Sequence, residues 1–218
     1  MKIIFVHGMG ATPFDCFPAF LRVRRLGYKT STFSYFSSFQ NLDSIKMRLM
    51  DLVAETAARG EYAVVGHSLG GILARDILMR LPAEVDQPKH VFLLGSPLIA
   101  TQMNKHLSRF GVFRLLSGQC GQLVASDELM EAIGTPSIPT TCVVGTKGFN
   151  SRWSPFGMRP NDSIVLESEL CTELFPDVVR IAVCHPFLPA TQELARIIHH
   201  RLSTGGGGRL PLKHDNVR

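Results

Sequence analysis

No apolar run among these 218 residues approaches the ~18 needed to cross a bilayer, so no membrane span is expected. Paired cysteine spacing is also missing. Cys16, Cys120, Cys142, Cys171 and Cys184 are odd in number and scattered, which argues against a disulfide framework. Buried free thiols in a reducing, cytoplasmic compartment are expected instead. There is no dense Lys/Arg run interleaved with aromatics. The net charge of +5 comes from scattered residues, so nucleic-acid binding lacks support. A mildly basic surface leaves a bias toward anionic membranes or acidic substrates, and peripheral membrane contact stays open. No cluster of metal-ligating side chains is evident, and no metal or cofactor is expected. The opening run Met1–Val6 is too short for a signal peptide and reads as a first core strand.

What is present is a globular composition, 45% hydrophobic and 19% charged. It suits one substantial core, expected over residues 1–204, with a flexible Gly-rich basic tail over 205–218. Strand-like runs are predicted at Lys2–Val6, Lys29–Tyr35, Tyr62–Val65, His90–Leu94, Thr140–Val144 and Val178–Val183. Helical periodicity lies between them at Phe14–Arg25, Asp43–Ala58 (capped by Asn41 or Asp43), the run after Ser68, and Thr191–Leu202. Such alternation predicts an α/β fold, with a compact, mainly parallel sheet of about six strands and helices on both faces. Two segments break the rhythm. Pro97–Ile138 reads as a small helical insert or lid over the sheet's carboxyl edge, and Thr146–Asn161 as a long Gly/Ser/Pro-rich loop.

The chemistry-bearing motif is Gly66-His67-Ser68-Leu69-Gly70, set between the apolar Tyr62–Val65 run and a helical run that Pro82 stops. A serine at a sharp strand-to-helix turn is exposed at the sheet's carboxyl edge above a helix N-terminus. In isolation the pentapeptide could be an ordinary tight connection. Its hydroxyl is a poor nucleophile unless an imidazole takes the proton and a carboxylate orients the imidazole. Of eight histidines, His185 fits best, because it follows the last strand and precedes the last helix. Asp162, 94 residues after Ser68 and 23 before His185, is the preferred acid, with Glu167, Glu169 and Asp177 as rivals. Backbone N–H groups of Leu69 and Met9, with Gly10 in reserve, are expected to form an oxyanion hole. Met103, Leu107, Phe110 and Phe113 of the insert are candidates to line an acyl pocket, or simply to pack it onto the sheet.

Taken together, His7-Gly8, Gly66-His67-Ser68-Leu69-Gly70-Gly71, Gly95-Ser96-Pro97, Asn161-Asp162-Ser163-Ile164-Val165, Glu167-Ser168 and His185-Pro186-Phe187 resemble the α/β-hydrolase superfamily. The likeness is closest to its small bacterial lipase- and esterase-like members. It implies an α/β-hydrolase fold, a Ser-Asp-His triad and hydrolysis of a small ester or lipid-like substrate through an acyl-enzyme on Ser68. A thioesterase, amidase or acyltransferase would use the same triad, and a non-catalytic binding protein on this fold is a further alternative. Ser163 stands where the family has glycine, which predicts a different local turn beside the acid. Ser96 replaces threonine, and Ala100-Thr101 replaces a Gly-Ser pair.

Overall fold

The computed structural model describes residues 1–108, 111–170 and 175–205. Six strands, β1 Lys2–Val6, β2 Lys29–Phe33, β3 Tyr62–His67, β4 Val91–Leu94, β5 Thr140–Gly145 and β6 Asp177–Ile181, form one sheet in the order β2-β1-β3-β4-β5-β6. Every pairing is parallel, with Ile4 lying between Ser31 and Val64. β2 stops at Phe33 rather than Tyr35, because the Tyr35 ring leaves the ladder to stack on His7.

Alternation along β1 divides the core. Ile3 and Phe5 meet Val23, Leu194 and Ile198 on one face, from α1 (Phe17–Arg25) and α8 (Gln192–Thr204). Ile4 and Val6 meet Leu49, Val53, Leu73 and Ile77 on the other, from α2 (Leu42–Ala57) and α3 (Leu69–Met79). Each such side chain, fully buried, stabilises by about 1.5–3 kcal/mol relative to exposure. A one-residue slip would exchange the two faces, so the register is well specified. Asn41, not Asp43, caps α2, its Oδ1 accepting from the Asp43 and Ser44 amides at 2.9 and 3.1 Å.

Between β4 and β5 the insert forms α4 (Gln102–Leu107), α5 (Gly111–Ala125) and α6 (Asp127–Glu131), with α5 kinked at Gly118. Leu98, Cys120, Leu123 and Met130 join the α2/α3 side of the core. Buried Arg75 of α3 donates to the carbonyls of Pro97 (3.4 Å) and Gly134 (2.7 Å). One guanidinium thus ties both ends of the insert to the same helix. Cys16, Cys120 and Cys184 are free thiols, the last half-buried, Cys142 is buried, and Cys171 lies outside the described residues. The described part of the expected tail is Gly205, left-handed at the end of α8; the rest of 205–218 lies outside the described residues. No helix among the described residues is long and apolar enough to cross a membrane.

After β1 the chain first runs outward to β2 and then returns past β1 to β3. The loops leaving β1 and β3 therefore diverge, and a crevice opens at the carboxyl ends of these strands. His7–Cys16 and the turn at Ser68 form its walls.

Candidate active site

Ser68 has φ 52° and ψ −123°, one of two positive-φ non-glycine residues in the described structure. Such a conformation costs about 1–3 kcal/mol and persists only when its surroundings impose it. Here β3 is buried along its whole length and α3 is almost wholly buried. The Ser68 amide also donates to the Leu94 carbonyl at 2.9 Å. Two neighbours have to be glycine. A Cβ on Gly66 would run into the Gly71 backbone, and one on Gly70 into the Val6 carbonyl. The tight turn leaves the serine side chain on the cavity wall at the start of α3.

His185 follows β6 and opens a short 3-10 turn, His185–Ala190. Its ring is buried, and Nδ1–H donates to Asp162 Oδ2 at 2.6 Å. Nε2 is left with its lone pair, the tautomer a general base needs. Asp162 is fully buried, and its other oxygen accepts from the amides of Ile164 (3.1 Å) and Val165 (2.8 Å). The three rivals are engaged elsewhere. Glu167 pairs with Arg180, Glu169 accepts from the Gln102 and Leu166 amides, and Asp177 binds Arg201 and Thr141. Among the described residues the Ser68 hydroxyl makes no hydrogen bond, although it and His185 line one cavity. Links of this kind are often long in the unliganded state and tighten when substrate binds.

Ser163 stands directly after the acid. It takes φ 90°, a conformation suited to glycine, and its amide donates to Asn161 Oδ1 at 2.9 Å. The Asn161 side chain thus holds the backbone at this left-handed serine.

The loop after β1 is braced from its own histidine. His7 Nδ1–H donates to the Gly8 carbonyl (2.9 Å), and Nε2 accepts from the Tyr35 amide (3.4 Å). The Tyr35 hydroxyl donates to the His7 carbonyl at 2.7 Å, and the two rings stack 4.3 Å apart. In a trans peptide the carbonyl and the next N–H point in opposite directions. Holding the Gly8 carbonyl toward His7 therefore turns the Met9 N–H the other way. Met9 and Leu69 both line the cavity, and among the described residues neither amide has a hydrogen-bond partner. The Gly10 amide, the reserve donor, is occupied by Ser37 Oγ at 3.3 Å.

A second histidine lies close to the site. His67 is buried on the cavity wall, its Nε2–H donating to the His185 carbonyl at 3.1 Å and its ring 4.9 Å from that of His185. Burial, and then the neighbouring imidazole, push it down to about 3, so it stays neutral. Its place beside the serine in the pentapeptide was the available signal. Asp15 also faces the cavity. Hydrogen bonds from Thr12, chiefly from its amide (2.5 Å), hold its carboxyl below the usual range, so it is an anion there.

The cavity has a volume of about 360 Å³, within the range of small-molecule sites. The insert contributes Pro97, Thr101, Asn104 and Val124 to its lining, and not Met103 or Leu107. The reason is helical phase. Met103 and Leu107 share one stripe of α4, about 100° around the axis from the stripe holding Asn104. Phe110 and the side chain of Phe113 lie outside the described residues.

The sequence matches the thioesterase domain family over residues 22–133, just over half of the chain. No curated protein matches it in sequence. Several solved structures share the fold. A protein described as a hydrolase of the α/β superfamily from Xanthomonas campestris pv. campestris aligns with TM-score 0.60 at 13% identity, over 93% of this chain and 98% of its own. The RedJ thioesterase of prodiginine biosynthesis in Streptomyces coelicolor aligns with TM-score 0.57 at 16% identity, over 92% and 88%. Tomato methylketone synthase I, in complex with 2-tridecanone, aligns with TM-score 0.63 at 13% identity, over 93% and 97%.

Proposed function

Since the chain belongs to the thioesterase domain family of the α/β-hydrolases, we propose that it hydrolyses an acyl ester or thioester through an acyl-enzyme on Ser68. The observation that carries this reading is the buried 2.6 Å contact between His185 and Asp162 on the same cavity as a strained, solvent-reached serine. His185 Nε2 takes the hydroxyl proton as Ser68 Oγ attacks the carbonyl carbon. Asp162 holds the tautomer and stabilises the imidazolium. The Met9 and Leu69 N–H groups receive the developing oxyanion, each such donor typically contributing about 2.7–4 kcal/mol. The imidazolium then protonates the leaving oxygen or sulfur. Water, deprotonated by the same imidazole, releases the acid and frees Ser68.

The residue-level pattern suits a carboxylic ester, whereas the family match favours a thioester. Both start from an acyl carbonyl and end at a free acid, and they differ only in the leaving group. Fluorophosphonate labelling tests the shared core. An adduct on Ser68 that disappears in Ser68→Ala is expected, and folded protein that takes no label would overturn the proposal. Turnover of p-nitrophenyl esters compared with acyl thioesters of equal chain length then ranks the two leaving groups.

A further inference from the structure

Among the described residues, exposed Phe and Trp side chains are confined to one edge of the molecule. Every exposed Phe or Trp among the described residues follows the carboxyl end of a strand. Phe14 and Phe17 come after β1, Phe36 and Phe39 after β2, Phe149 and Trp153 after β5, and Phe187 after β6. Three are almost bare, Trp153 at 93%, Phe39 at 89% and Phe14 at 79%. Among the described residues the opposite end of the parallel sheet carries none. Single exposed apolar residues need no explanation, but segregation of all the large rings around one cavity mouth does.

Charge on the same loops is also one-sided. Lys147, Arg152 and Arg159 are exposed on the loop after β5, and none is in an ion pair among the described residues. Among the described residues, the only exposed carboxylate on the loops after β1, β2, β5 and β6 is Asp15. Trp153 and Arg152 are neighbours in sequence, so a ring suited to the interfacial zone sits beside a cation suited to lipid phosphate. Bare rings flanked by unpaired cations fit a deformable anionic apolar phase better than they fit the fixed relief of a folded partner.

We propose that this edge docks on an anionic phospholipid surface, with Trp153 and its aromatic neighbours entering the interface and Lys147 and Arg152 over the headgroups. The crevice holding Ser68 opens on the same edge, so docking sets its mouth against the bilayer. The proposal does not depend on which acyl compound is cleaved, because its test reads binding and not turnover.

Trp153 is the single tryptophan of the chain, so intrinsic fluorescence reports on the docking edge alone. With the full chain, vesicles of phosphatidylcholine containing one-third phosphatidylglycerol are expected to co-sediment the protein and shift its emission to the blue. Pure phosphatidylcholine vesicles are expected to do neither. Lys147→Gln with Arg152→Gln is expected to weaken partition about 25-fold, about fivefold per cation, and raised salt is expected to weaken it in wild type. A co-sedimenting protein whose emission does not move would assign binding to another region, such as the basic segment 209–218, and overturn the proposal. So would equal binding to neutral vesicles, or binding to an acidic acyl-carrier protein with no binding to vesicles.

Discussion

Asp162 and His185 are joined twice. The imidazole Nδ1–H meets the carboxylate at 2.6 Å, and the backbone N–H of His185 donates to the Asp162 carbonyl at 2.7 Å. The second bond fixes the loop after β6 against the loop after β5, so the carboxylate and the ring meet through a shared backbone and not by side-chain reach alone. Three further bonds hold Asp162: its amide to the Val165 carbonyl, and the Ile164 and Val165 amides to its Oδ1.

Because the Asp162 carboxylate both orients His185 and closes its own loop, two substitutions should separate the roles. Asp162→Asn retains the volume and an oxygen for the loop amides, but presents the wrong partner to Nδ1–H. It is expected to lower kcat about 10⁴-fold with a small change in urea midpoint. Asp162→Ala removes both roles and should also lose about 2–4 kcal/mol of stability. Equal unfolding midpoints for the two variants would contradict this division.

Ser163 holds φ 90° without being glycine. Ser163→Gly removes that strain while keeping the backbone amide that meets Asn161, so a gain of about 1 kcal/mol is expected from thermal or urea unfolding. A loss would mean that greater freedom of the unfolded chain outweighs the relief.

The loop after β1, proposed to supply the Met9 oxyanion donor, depends on Tyr35 at one remove. Tyr35→Phe keeps the stack on His7 and deletes the 2.7 Å bond to its carbonyl. Loss of a hydrogen bond worth about 1 kcal/mol should appear as a fall in kcat of up to about tenfold with KM little changed. A pure KM effect would place Tyr35 in substrate binding instead.

Three buried histidines set the acid limit. Burial holds His67 at about 3, His90 at about 4 and His7 below its ordinary value. In the unfolded chain all three titrate near 6.5. Their folded values are depressed, so their contribution is complete above pH 6.5 and is lost as pH falls toward 4. His67 and His90 each add a slope of about 1.4 kcal/mol per pH unit in that window, and His7 acts in the same direction. His90→Gln, which can still donate to Thr141 Oγ1, should lower the slope of urea-measured stability against pH by about 1.4 kcal/mol per pH unit between pH 6 and 4. An unchanged slope would show that His90 is not buried as a neutral ring.

Arg75 clamps both ends of the insert through the carbonyls of Pro97 and Gly134. Arg75→Met fills much of the same space but leaves both carbonyls unpaired, and should cost about 1.5–3 kcal/mol in urea unfolding. Hydrogen exchange is expected to rise in α4–α6 ahead of β1 and β3. Uniform exchange across the sheet would contradict a local clamp.

Much of this was legible along the chain because it arises over short distances. Strand and helix periods, the glycines around Ser68 and the β/α alternation together specify a parallel sheet with the serine at its carboxyl edge. Chain order then brings His185 to the same edge, because both residues follow strand ends. Other features depend on contacts between segments far apart in sequence. Asp162, Glu167, Glu169 and Asp177 are equally acidic on paper, and the packing of β5, β6 and α8 decided which one meets the imidazole. The phase of α4 turned Met103 and Leu107 off the cavity wall and brought Thr101 and Asn104 onto it. Burial, with the neighbouring imidazole, made His67 a neutral strut beside His185. Local sterics and periodicity can be read from neighbours in sequence, but pairing and desolvation are set by side chains that only the completed fold brings together.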